Sequence, residues 1–131
     1  MDNGRLEALI GGLSEGADIE GESGYWTVTV ASRQVLVITD EAADRMRIMT
    51  PVVEESELPA EEMQRLLEAN FDRALDARYA MARGYVWSAF IHPLAALTEA
   101  EFVDAVHQVV TLAENYGTSY TSTDLVFQGG Q

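Results

Sequence analysis

Cysteine is missing from all 131 residues, which excludes disulfides, thiol catalysis and cysteine-ligated zinc. Lysine is missing too. The 8 basic residues are all arginine, at 5, 33, 45, 47, 65, 73, 78 and 83, and they are scattered rather than clustered. An all-arginine set is read as codon usage, not as a functional signal. Against 22 acidic residues they leave a net charge of −14 and a pI near 4.2. Such a surface repels phosphate backbones and anionic headgroups, so neither nucleic acid nor a membrane is an expected partner. Neutral, apolar or basic partners suit it. No apolar run approaches the roughly 20 residues of a membrane span. Met1 to Gly4 lacks a basic stretch and Leu6 to Leu13 is too polar for a signal peptide, so a cytoplasmic protein is expected.

Catalytic signatures are missing as well. No serine sits in a GxSxG elbow, and no glycines form GxGxxG or a Walker A loop. His92 precedes a proline and His107 falls at the edge of a helical stripe. Neither belongs to an HExxH arrangement or a carboxylate cluster, so structural or solvent roles are expected for both. The pairs Glu54-Glu55, Glu61-Glu62 and Glu99/Glu101 fall on linkers and helix starts, where they suit the helix dipole. The run from Asp40 to Asp44 does not match a calcium loop. No catalytic residue, metal site or cofactor is expected, and the chain is not read as an enzyme. An enzyme would have to use His92 and His107, each within reach of a carboxylate in a cleft.

What is present is a chain 47% hydrophobic and 23% charged, in the ordinary globular range. One domain over 1–117 is expected, with a flexible tail over 118–131. The stretch from Leu58 to Tyr116 organises it as helix, hairpin, helix. Pro59 to Leu75 carries Met63, Leu66, Leu67, Asn70, Phe71, Ala74 and Leu75 at spacings of three and four. Asn70 breaks that stripe and must find a partner, either a backbone carbonyl or another subunit. Arg78 to Ala82 and Tyr85 to Ile91 form a hairpin turning near Arg83-Gly84. Val86, Ser88 and Phe90 take one face of its second strand; Tyr85, Trp87, Ala89 and Ile91 take the other. Thr98 and Glu101 form a capping box ahead of a broad stripe from Phe102 to Tyr116.

Upstream, Leu6, Leu9, Ile10 and Leu13 mark a short helix, and the glycine-rich, acidic stretch 15–24 reads as a loop. Tyr25 to Ala31 alternates strictly, with Trp26, Val28 and Val30 on one face. Ser32-Arg33 is read as a turn, Gln34 to Thr39 as an apolar strand, and Arg45 to Val53 as a third strand. Pro51 should sit at a strand end or an edge. The three strands make an antiparallel meander.

Two stretches carry a family resemblance: Leu66-Leu67, Asn70 and Leu75 leading into Tyr79-Ala80-Met81, and Val86 to Leu94 leading through a Pro-Leu step into Leu97 to Phe102. With the element order α-β-β-β-α-β-β-α, this pattern resembles the YbjN family and the class I type III secretion chaperones of the Tir-chaperone type. The resemblance implies an α+β fold of two layers, with a five-stranded antiparallel sheet and helices. It implies a homodimer without catalytic activity that shields an apolar segment of a partner protein. The alternative it carries is a sensory transduction regulator of the same fold, binding a small ligand between the first helix and the sheet. The surface expected to bind partner or second copy comprises Trp26, Val28, Met63, Leu67, Asn70, Phe71, Tyr85, Trp87 and Ile91. Trp87 and Ile91 would be left in water by a sheet with helices on one side only.

Overall fold

The computed structural model describes residues 1–13, 19–22, 24–72 and 75–116. The tail expected over 118–131 lies outside them. The element order is α1 (Asn3–Leu13), β1 (Ile19–Glu22), β2 (Tyr25–Val30), β3 (Arg33–Asp40), β4 (Arg45–Glu54), α2 (Ala60–Asp72), β5 (Arg78–Ala82), β6 (Tyr85–His92) and α3 (Glu99–Glu114). The fold is α+β. The five expected strands are all present and pair antiparallel. A short sixth strand, β1, joins their edge, giving the order β1-β2-β3-β4-β6-β5. It falls in the stretch read as a loop: Gly21 and its glutamate neighbours are poor strand formers, and pairing from Ile19↔Val28 to Glu22↔Tyr25 overrides that preference.

One face of the sheet makes the core. The register aligns Trp26, Val37, Ile48 and Phe90 across four strands, with Val28, Val35, Met46, Ser88, Val86 and Tyr79 on the same side. All of these are buried. Over them lies α3, contributing Phe102, Ala105, Val106, Val109, Val110 and Leu112, and α1 adds Leu6 and Ile10. Two buried hydroxyls tie α3 to the sheet. Ser88 Oγ donates to the Val109 carbonyl at 2.7 Å, and Tyr79 Oη donates to the Leu112 carbonyl at 2.7 Å. The second bond satisfies a carbonyl of the last helical turn, which has no partner within the helix.

Turn chemistry explains the hairpins. Ala31 and Ser32 both have positive φ (52° and 66°), as do Arg83 and Gly84 (54° and 82°). Two successive residues of this kind suit the right-handed twist of the flanking strands. The first turn therefore sits one residue earlier than expected. Pro51 is neither at an end nor at an edge: it lies within β4, a central strand. The register to β6 shifts between Pro51 and Val53, so the strand bulges beside the residue that cannot donate. The Gln34 carbonyl, near Pro51 across the β3–β4 pair, accepts instead from the buried Thr50 hydroxyl at 2.9 Å.

Helix ends follow their residues. Pro59 precedes α2, and its carbonyl accepts from Glu62 and Met63. The helix is described as far as Asp72, and Leu75, its expected last residue, lies in a bend. The capping box of α3 is complete: Thr98 Oγ1 accepts from the Glu101 N–H at 3.1 Å, and Glu101 Oε1 accepts from the Thr98 N–H at 2.9 Å. The bond from the Thr98 N–H holds the Glu101 carboxyl below its ordinary value. A depressed carboxyl adds stability above its unfolded pKa and loses it as pH falls through the folded value. Thr98→Ala, which removes the hydroxyl that accepts from the Glu101 N–H, is expected to lower stability by about 1 kcal/mol. Glu101→Gln, which keeps an acceptor for the Thr98 N–H but cannot titrate, should flatten the acid limb of a thermal-unfolding series. An unchanged limb would assign the acid sensitivity to other carboxylates.

Candidate protein-binding surface

No described element covers the second face of the sheet. Three rows cross it. Tyr25, Ile38, Arg47 and Ile91 form the first; Thr27, Leu36, Met49, Ala89 and Arg78 form the second; Pro51, Trp87 and Ala80 form the third. Leu36, Ile38, Met49 and Trp87 are only partly buried, and Ile91 is 59% exposed. Tyr85 follows at the hairpin end. Its ring lies 6.0 Å from that of Trp87 at 56°. The indole N–H of Trp87 donates to the Ala82 carbonyl at 2.9 Å, which fixes the ring along the strand.

A second apolar strip runs down α2. Met63, Leu67 and Phe71 recur every four residues on its outer side, and Leu75 follows beyond the helix. Leu67 is 65% exposed and Phe71 90%. The inner side of α2 buries only Leu66 and Ala69. Asn70 lies between the two sides, and its amide closes on the backbone of Tyr79. Nδ2 donates to the Tyr79 carbonyl at 3.0 Å, and the Tyr79 N–H donates to Oδ1 at 2.7 Å. The side chain thus stands in for a neighbouring strand along the free side of β5. Its partner is backbone within the same chain.

Of the residues expected at the surface, Met63, Leu67, Phe71, Tyr85, Trp87 and Ile91 are accessible, along α2 or on the uncovered face. Trp26 and Val28 are not. Each is 1% exposed and points into the core, with Trp26 Nε1 donating to Glu7 Oε1 of α1 at 3.2 Å. Sequence reasoning left out Leu36, Ile38, Arg47 and Met49. The continuous apolar run of β3 was the signal for the first two.

The two histidines stand apart. His92 stacks on Phe90 and its Nδ1 is bonded to the Pro93 carbonyl at 2.7 Å. It opens on a polar hollow of about 280 Å³ with Asp76, Glu101 and Asp104. His107 lines a separate apolar cleft of about 180 Å³ beside Leu75, Ala77 and Leu112. Among the described residues no group of three or more His, Asp or Glu is placed to hold a metal ion, and no helix is long and apolar enough to cross a membrane. At the junction of α2 and α3, burial raises the Tyr116 hydroxyl above its ordinary value, helped by the carboxylates of Glu62 and Glu57.

No family model matches the chain, and no curated protein matches it in sequence. Solved structures do match its fold. A chain of the ExsC–ExsE complex aligns with a TM-score of 0.65 at 18% identity, covering 87% of this chain and 92% of its own length. A chain of the HopA1–SchA chaperone–effector complex aligns at 0.62 and 10% identity, covering 87% and 94%. A chain from the structure of the Yersinia pestis type III secretion chaperone SycH with a stable fragment of YscM2 aligns at 0.63 and 16%, covering 88% and 98%. The chain has the fold of the type III secretion chaperones.

Proposed function

We propose that this chain is a non-enzymatic protein-binding domain, acting as a cytoplasmic homodimer that shields an apolar segment of a partner protein. The observation that carries this reading is the uncovered sheet face, with Leu36, Ile38, Met49, Trp87 and Ile91 at its surface. A face of this kind marks an interaction site. The likeness to chains solved with protein partners supports the same reading. The dimer uses the Met63–Leu67–Phe71 strip together with the Tyr85–Trp87 end of β6. The partner segment takes the other end, around Ile38 and Ile91. The alternative, a YbjN-type sensory regulator with a small ligand between α1 and the sheet, has less to support it. Leu6 and Ile10 are fully buried where that ligand would lie.

The test is co-purification from the native host with the wild type and with Ile38→Ala/Ile91→Ala, followed by reconstitution with the purified partner. The double variant is expected to bind that partner at least about tenfold more weakly, since truncating central apolar anchors costs 1–2 kcal/mol or more. Its thermal midpoint should fall only slightly, because Ile91 is exposed and Ile38 is only partly buried on the uncovered face. A partner bound equally well by both proteins would move the site off this face.

A further inference from the structure

We propose that the segment held on the uncovered sheet face carries carboxylates beside its apolar residues, and that Arg47 selects it. This rests on the reading above. Arg47 lies between Ile38 and Ile91 in the register, with Met49 next to it along the same face of β4. Its side chain is exposed and makes no hydrogen bond or ion pair among the described residues. Most other described arginines are engaged. Arg5 pairs with Glu99 and Arg65 with Glu62, while Arg33, Arg45 and Arg78 donate to backbone carbonyls. Arg83, in the β5–β6 turn, also lacks a partner but lies off the face.

A wholly apolar segment laid across this face would strip water from the guanidinium and return nothing. An uncompensated charge is costly to cover. The occupant must therefore bring acceptors, and a carboxylate matches the guanidinium fork in shape and charge. The same argument weighs against a second copy packed symmetrically about this end of the sheet. A symmetric face-to-face contact would bring Arg47 towards its own equivalent.

Arg78 supplies a second anchor on the same face. Its Nη1 is held by the Leu75 and Ala77 carbonyls, which leave its charge unneutralised. From Arg47 the register steps along β4 to Met49 and then across Ala89 to Arg78. Strand spacings put the two Cα atoms about 12 Å apart, close to four residues of extended chain. The segment expected is extended, with acidic residues four apart and apolar residues between them, over Met49 and Ala89. The net charge of −14 repels acidic segments from the chain at large, so the preference is confined to this face.

The probe is a labelled synthetic peptide of about ten residues, alternating leucine and serine, with two glutamates four apart. Its controls carry glutamine or arginine at those two positions. The glutamate peptide is expected to bind about tenfold more tightly than the glutamine peptide. Arg47→Gln should remove a large part of that difference and Arg47→Gln/Arg78→Gln should abolish it, neither weakening the glutamine peptide, while Arg47→Lys should keep more of it than Arg47→Gln. Equal binding of the glutamate and glutamine peptides, or tighter binding of the arginine peptide, overturns the proposal. If Ile38→Ala/Ile91→Ala still weakens every peptide in that case, the apolar face survives as the site and only the acidic preference fails. Absence of binding by all three peptides counts against both.

Discussion

Replacing Phe102 by alanine is expected to cost about 3–5 kcal/mol, through lost burial and the cavity left behind. Phe102 is fully buried at the start of α3, the helix that roofs the core face of the sheet. Its ring packs in the same cluster as Trp26, Met46 and Ile48. Domains of this size hold only about 5–15 kcal/mol in total, so one such change consumes a large share of it. Urea unfolding followed by circular dichroism should show a midpoint shifted far down with little change in slope. If the midpoint stays near that of the wild type, α3 can collapse onto the sheet without the ring, and its place as the main core helix is lost.

Placing aspartate at both Leu67 and Phe71 is expected to weaken self-association by at least about a hundredfold, because two charges would be buried against an apolar copy. The folded monomer should hardly notice. Phe71 is 90% exposed and Leu67 65%, and both point away from Leu66 and Ala69, which hold α2 to the domain. Sedimentation equilibrium across the micromolar range measures the effect directly. A variant that remains dimeric would move the interface off α2. A wild type that sediments as a monomer at high micromolar concentration would remove the dimer altogether. Where the dimer forms, thermal midpoints depend on protein concentration, so the comparison is made at matched concentrations.

Much of the fold was legible because the strong periodic signals agree with one another. The capping box at Thr98, the stripe from Phe102 to Ala113 and the alternation in β6 each name one element and one face. The site was half legible, and β2 shows why. A period of two tells which residues share a face, but not which face receives the helices. Trp26 and Val28 were placed outward, yet the opposite side of β2 carries Tyr25, Thr27 and Thr29, the more polar set. That contrast is the clue that Trp26 faces the core. In β6 both faces are apolar, and there the division into Val86, Ser88 and Phe90 against Trp87 and Ile91 matches the structure. Two features had no local signal. Pro51 is tolerated in a central strand only because a bulge and the Thr50 hydroxyl rearrange the bonding around it. The strand at Ile19–Glu22 exists because β2 offers it a template. Arg47 was one of eight scattered arginines until the register set it between Ile38 and Ile91.

The amide of Asn70 has a consequence for how copies of this chain can meet. By filling the two backbone groups of Tyr79, it stoppers one flank of the sheet. Among the described strands, the flank left for a strand of another molecule is then the β1 side. A ribbon that grows in one direction cannot be joined head to tail into a fibre, so crowded copies are steered towards closed, countable assemblies.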